Sequence, residues 1–123
     1  MKPILLLTTL LLSLLMVACE FEREQNGYPK NVQFGPEGGT LRYKGDGQFV
    51  DFTLENANHD CESSPVIDDS ISVTMDWLTV KGAYCGDEMI ITAKPLTEGK
   101  SRKLKLYGYF GNTYSETVVT QKR

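Results

Sequence analysis

Tyr107 and Tyr109 are the residues of this sequence best suited to binding chemistry. They are two positions apart in a segment that alternates apolar and polar side chains, so on a β-strand both rings point to the same face. Lys103 and Lys105 share that face, and the apolar residues of the segment take the other one. Exposed aromatic rings with this spacing form a strip on which a glycan ring can stack. Cross-strand packing that only covers the sheet is the alternative.

The remaining polar residues do not predict a metal centre or a catalytic site. His59 is the only histidine, and Asp60, Asp68, Asp69 and Asp87 do not form a D-x-D-x-D-G calcium loop. The chain also lacks a G-x-S-x-G motif, and its pattern predicts no separated, buried pair of carboxylates. We therefore expect a protein that is not an enzyme and that carries neither a cofactor nor a metal.

Residues 1–18 predict export from the cytoplasm. They combine a positive start, an apolar stretch and the small Ala18 at the exit, which is the pattern of a signal peptide. The apolar stretch is about fourteen residues long, whereas a transmembrane helix needs about twenty. A permanent membrane span is therefore the weaker interpretation.

The run from Leu15 to Cys19, L-M-V-A-C, resembles the lipobox of bacterial lipoproteins, with Met16 where that family prefers Leu. The resemblance implies that Cys19 receives diacylglycerol and becomes the new N-terminus, anchored to a membrane. Several acyl chains anchor firmly, because each buried methylene contributes about 0.8 kcal/mol. An ordinary cleaved signal that leaves Cys19 free is the alternative.

Cys61 and Cys85 are the two cysteines that remain after lipidation. They lack the C-x-x-C spacing or the neighbouring cation of a reactive thiol pair, so in an oxidising compartment we expect a disulfide. Such a bond closes a loop of about 25 residues and would stabilise the domain by about 3.5 kcal/mol.

Removal of the signal peptide leaves 105 residues, enough for one domain. Residues 19–30 are polar and contain Gly27 and Pro29, so they predict a lipidated tether, with the folded domain over residues 31–123. Residues 19–123 contain twelve basic and sixteen acidic residues, which gives them a net charge of about −4. The only local excess of basic residues, between residues 100 and 105, is too small to neutralise several phosphates, which argues against a nucleic-acid partner.

Residues 31–123 alternate apolar and polar side chains with a period of two, which marks strands with one face in a core and one in water. The alternation is clearest in residues 32–34, 41–43, 50–54, 71–75 and 103–107. Turns rich in Gly, Pro, Asn and Asp separate these segments. The sequence therefore predicts an all-β fold, an immunoglobulin-like antiparallel β-sandwich of about seven strands.

Residues 56–70 interrupt this rhythm. These fifteen residues are too polar and irregular to predict a strand, so we expect a loop. Loops of that length within compact domains are usually functional or mobile. The predicted disulfide would attach this one, through Cys61, to the turn around Cys85.

Several short motifs resemble the BACON domain, a family named for its Bacteroidetes association and suspected carbohydrate binding. They are Gly38-Gly39-Thr40, Asp76-Trp77-Leu78-Thr79-Val80, Arg102 at the start of a later strand, and Thr117-Val118-Val119-Thr120-Gln121. The resemblance covers about residues 31–121 and implies an immunoglobulin-like sandwich from a bacterium of the Bacteroidetes group. A neighbouring immunoglobulin-like lipoprotein family is the alternative.

Trp77 is the only tryptophan, and its place before Leu78 and Val80 predicts a core residue rather than a sugar platform. We therefore expect a non-catalytic lipoprotein of the cell envelope, held at the outer membrane and facing the periplasm or the surface. Its BACON-like sandwich would bind carbohydrate through Tyr107 and Tyr109 or act as a spacer. A protein-interaction or structural subunit of an envelope complex is the second hypothesis.

Overall fold

Alternating apolar side chains build two β-sheets, which the computed structural model describes for residues 25–123. Sheet A contains, in spatial order, β1 (Asn31–Phe34), β10 (Tyr114–Gln121), β9 (Arg102–Tyr109), β3 (Asp51–Glu55) and β4 (Cys61–Ser63). Sheet B contains, in spatial order, β2 (Gly39–Lys44), β8 (Glu88–Ala93), β7 (Leu78–Ala83), β6 (Ser70–Met75) and β5 (Val66–Ile67). All neighbouring strands are antiparallel except β1 and β10, which are parallel. The predicted all-β sandwich is confirmed, with ten strands instead of about seven.

The hydrophobic core lies between the two sheets. In β6 and β9 every second residue is buried, as the period of two predicts. The fully buried side chains include Phe49, Phe52, Leu54, Ile71, Leu78, Val80, Met89, Ile91, Leu106 and Val119. A 3-10 turn at Gln25–Gly27 precedes β1, and within residues 25–123 no helix is long and apolar enough to cross a bilayer.

Residues 56–70, which we expected to be one irregular loop, contain the short edge strands β4 and β5. Asn56 organises the tight turn that leads into β4, because its side-chain Oδ1 accepts hydrogen bonds from the backbone N–H of Asn58 (2.9 Å) and of Asp60 (3.0 Å). All three residues of β4 are exposed. An exposed edge strand needs no alternating apolar side chains, and the sequence therefore gave no strand signal here.

The predicted Cys61–Cys85 disulfide is absent, and both thiols are free and exposed. Cys61 pairs with Glu55 at the end of β3. Cys85 instead donates its backbone N–H to the carbonyl of Phe49, just before β3 begins (2.7 Å). From Asp51 to Glu55 the Cα atoms of β3 span about 13 Å, four steps of about 3.3 Å, whereas a disulfide needs Cα atoms within about 7 Å. Cys61 and Cys85 therefore lie beside opposite ends of β3.

Tyr28 is a core residue, although the sequence placed residues 19–30 in a tether. Its side chain is 2 % exposed and its ring lies 4.6 Å from that of Phe49 and 5.7 Å from that of Phe110, between centroids. Its hydroxyl donates hydrogen bonds to the carbonyls of Gly47 (3.2 Å) and Asp87. This aromatic cluster attaches the segment just before β1 to one end of the sandwich.

The residues just after Tyr28 are also held by the fold. The hydroxyl of Thr117 donates a hydrogen bond to the carbonyl of Pro29 (2.7 Å), and the backbone N–H of Val118 donates to the carbonyl of Lys30 (2.8 Å). The folded domain therefore begins before residue 31. The predicted signal peptide over residues 1–18 and the lipidation of Cys19 lie outside the described residues.

Stability should fall at alkaline pH because of Tyr28. Burial raises the pKa of its phenol from 10.0 to about 12, so the folded chain keeps a proton that the unfolded chain loses between these values. The contribution to stability is thus complete below pH 10 and decreases as the pH rises towards 12. We expect urea unfolding between pH 9 and 11.5 to show a smaller loss of stability in Tyr28→Phe than in the wild type. Equal losses in the two proteins would contradict this assignment.

Candidate functional site

Three tyrosines lie side by side on the outer face of sheet A. Tyr107 and Tyr109 alternate with buried residues of β9, so their rings take the outer face as predicted. Tyr114, on the neighbouring strand β10, is paired with Tyr109, and its ring centroid lies 6.0 Å from those of both Tyr107 and Tyr109. We refer to Tyr107, Tyr109 and Tyr114 as the tyrosine strip. Because Tyr114 packs against its neighbours, Tyr107 and Tyr109 are half-buried, and Tyr114 is 59 % exposed.

Carboxylates surround the tyrosine strip. The hydroxyl of Tyr107 donates a hydrogen bond to Glu55 Oε1 (3.2 Å), and Tyr107 also pairs with Glu116 across the sheet. Asp51 is the cross-strand neighbour of Tyr109. Burial, followed by the negative charge of Glu116 and the hydrogen bond to Glu55, raises the pKa of Tyr107 to about 12. The phenol is therefore a neutral hydrogen-bond donor at physiological pH, beside strong acceptors.

The same face becomes cationic towards the start of β9. Lys105 lies 3.8 Å from Glu116 (Nζ to Oε1), whereas Lys103 is exposed and takes part in none of the ion pairs among residues 25–123. Both lysines line a shallow groove of ≈ 170 Å³ with Glu55 and His59. The outer face of β9 therefore offers aromatic rings at one end and amino groups at the other.

The acidic residues and His59 of the described chain do not form a metal site. His59 Nδ1 lies 3.5 Å from Glu55 Oε2 on an exposed turn. Among residues 25–123 no three His, Cys, Asp or Glu side chains are arranged to hold a metal ion. What the site offers chemically is stacking and hydrogen bonding on an open surface.

Trp77, Arg102 and Gln121 converge at one end of the sandwich. Trp77 is 6 % exposed in the core, and the Arg102 guanidinium lies over its ring, 4.9 Å from the centroid. Arg102 Nε donates to Gln121 Oε1 (2.8 Å). The amide nitrogen of the buried Gln121 donates to the carbonyls of Lys94 (2.8 Å) and Gly35 (3.0 Å). These residues connect the two sheets, so their role is structural, as predicted for Trp77.

Gly38, from the first of the resembling motifs, has a similar structural explanation. Its φ is 73°, a conformation that favours glycine. A Cβ at this position would overlap the carbonyl oxygen of Ala93. The turn before β2 therefore needs a glycine in order to approach the end of β8.

A second exposed feature is the free edge of sheet B. Val66 and Ile67 form the two-residue strand β5 and are 51 % and 63 % exposed. Tyr84, in the turn after β7, is 43 % exposed. An apolar edge strand is a surface on which a partner strand can pair.

No family model matches the chain, and no curated protein matches it. The fold is similar to a protein from Bacteroides thetaiotaomicron solved by NMR, with a TM-score of 0.57 and 14 % sequence identity. The similarity covers 78 % of this chain and 79 % of that chain. At this identity the likeness supports the sandwich fold and nothing further.

Proposed function

We propose that this protein is a non-catalytic lipoprotein of the bacterial cell envelope, whose tyrosine strip binds glycans. The observation that carries the proposal is the contiguous row of three tyrosine rings on one open face, bordered by carboxylates. The lipobox resemblance supports anchoring at the outer membrane through Cys19. The BACON resemblance, with its suspected carbohydrate binding, supports the same class of ligand.

The chemistry of the strip suits a sugar ring. A pyranose has an apolar face of C–H groups that can stack on an aromatic ring, and hydroxyls at its edge. Glu55, Asp51 and Glu116 border the rings and can accept hydrogen bonds from such hydroxyls, and bonds to ionised acceptors are the stronger ones. The surface is open rather than enclosed, which favours a glycan chain over a single buried sugar.

The entry point of the chain fits a displayed module. The backbone N–H of Asp46 donates to the carbonyl of Asn26 (2.7 Å), so the chain joins the sandwich at the end formed by residues 45–47. With Cys19 acylated, that end is the membrane-proximal one. β9 starts at the opposite end of the sandwich. In this arrangement Lys103 and Lys105, near the start of β9, lie farther from the membrane than the tyrosine strip.

Removal of two rings should weaken glycan binding by about 5- to 150-fold, because each aromatic contact contributes about 0.5 to 1.5 kcal/mol. We expect the wild type to bind members of a glycan panel by isothermal titration calorimetry, and the double variant Tyr107→Ala, Tyr109→Ala to lose most of that affinity. Tyr84→Ala, which removes an exposed ring elsewhere, should bind like the wild type. Failure of the wild type to bind any glycan of a broad host and plant panel would contradict the proposal.

Docking of an envelope protein is a second candidate function, favoured by the exposed apolar strand β5. A partner strand would pair with the free edge at Val66 and Ile67. Crosslinking in intact cells, with the variant Val66→Lys, Ile67→Lys as the comparison, tests this candidate. A partner recovered equally with both proteins would contradict docking at this edge.

A further inference from the structure

Exposed basic side chains gather where β9 begins and β10 ends. Arg102 pairs with Gln121 across these strands, and its Nη2 donates to the carbonyl of Lys94 (3.3 Å). Arg123 donates from its backbone N–H to Ser101 Oγ (3.2 Å). These contacts bring three separate segments of the chain to one end of the sandwich. We refer to the basic residues of this end as the basic end: Lys94, Lys100, Arg102, Lys103, Lys122 and Arg123.

The side chains of the basic end are not held in ion pairs by carboxylates of the described residues. None of the ion pairs among residues 25–123 involves any of its members, and all of them except Arg102 are exposed. Glu37 and Glu98 are the acidic residues of the adjoining turns, and Asp60 and Asp76 lie on the turns that precede β4 and β7. A concentration of one sign of charge raises the local concentration of oppositely charged ligands. These six basic side chains gather at one end although the chain as a whole is acidic.

One member of the basic end, Lys103, lies on the same face of β9 as the tyrosine strip. Tyr109, Tyr107, Lys105 and Lys103 occupy alternate positions of β9 on one face, and they span about 20 Å at 3.3 Å per residue. A glycan chain that stacks on the rings and follows β9 would place its next units over Lys103. The aromatic and cationic parts therefore form one track along one strand.

We propose that the ligand of this track is an anionic glycan, whose carboxylate or sulfate groups are bound by Lys103 and the other exposed members of the basic end while its sugar rings stack on the tyrosine strip. This inference rests on the proposed glycan binding and names the ligand class. Glu55, Glu116 and Asp51 beside the rings disfavour a polymer with a charge on every unit of its backbone, such as a nucleic acid. A glycan with neutral ring faces and acidic substituents satisfies both halves of the track.

Calorimetry tests this assignment with oligosaccharides in which a uronic acid or a sulfated sugar alternates with a neutral sugar, and with the carboxyl-reduced and desulfated forms of the same chains. We expect an acidic form to bind at least about 10-fold more tightly than its neutral counterpart, and its affinity to fall between 50 and 300 mM salt. Lys103→Gln should weaken binding of the acidic form about fivefold and leave the neutral form unchanged. Lys81→Gln, an exposed lysine on sheet B with the same change in charge, should have no effect.

The possible results separate the two proposals. Equal affinity for acidic and neutral chains, with sensitivity to the double tyrosine variant retained, would overturn the anionic ligand and leave glycan binding supported. Absence of binding to every chain would overturn both. Binding of single-stranded DNA as tightly as the acidic glycan would overturn the assignment to glycans.

Discussion

Trp77→Ala is expected to lower the free energy of unfolding by about 3 to 5 kcal/mol, the range for truncation of a large buried aromatic side chain. Trp77 is 6 % exposed between β6 and β7, so its removal leaves a cavity in the core. It also removes the ring beneath the Arg102 guanidinium. Arg102 holds Gln121, so the loss of packing extends to the hydrogen bonds that join the two sheets.

Urea unfolding followed by circular dichroism measures this change. Tyr114→Ala is the matched control, because Tyr114 is an aromatic residue that is 59 % exposed and outside the core. The control should lose less than about 1 kcal/mol. A loss for Trp77→Ala no larger than that of the control would contradict the core assignment.

Tyr28→Ala is expected to have an effect of similar size, about 3 to 5 kcal/mol. Its ring packs against Phe49 and Phe110, and its hydroxyl satisfies the carbonyls of Gly47 and Asp87. Truncation would leave both a cavity and unpaired polar groups in a buried site. A residue in a flexible tether would instead be replaced without loss.

Chemical unfolding of three variants distinguishes a core residue at position 28 from a residue in a flexible tether. Tyr28→Phe keeps the ring and should lose about 1 to 2 kcal/mol through its hydrogen bonds alone, at neutral pH. Lys30→Ala, which removes an exposed side chain two residues away, should change stability by less than about 0.5 kcal/mol. If Tyr28→Ala behaves like Lys30→Ala, the chain before β1 does not belong to the domain.

The period of two predicted those strands that have one face in the core. Val32 and Phe34 in β1, and Leu104 and Leu106 in β9, are buried, with their polar neighbours outside. The same alternation correctly put Tyr107 on the outer face. These features depend on local geometry alone, and a single sequence contains that information.

Other strands carried no such signal. β4 has no buried side chain, and in β8 the adjacent Ile90 and Ile91 interrupt the alternation. The disulfide prediction was wrong for a different reason. Cys61 lies beside the end of β3 and Cys85 beside the residues that precede it, and only the strand order reveals this separation. Contacts between distant segments are not encoded in local periodicity.

The sequence predicted only part of the candidate site, because some of its residues are brought together by contacts between distant strands. Alternation along β9 predicted that Tyr107 and Tyr109 share one face. Tyr114 and Glu55 join them only through the register of the neighbouring strands. Lys122 joins Lys103 only because β10 ends where β9 begins. Tyr28 lies in a polar segment, where one aromatic residue gives no periodic signal.

Mapping of a bound glycan by NMR tests the central claim most directly. On titration with an acidic oligosaccharide, we predict that chemical-shift changes concentrate on Tyr107, Tyr109, Tyr114 and Lys103, with the β2 and β7 residues of sheet B unaffected. Changes confined to sheet B, or no changes at saturating concentrations of any glycan tested, would contradict the assignment of the tyrosine strip as a glycan-binding surface.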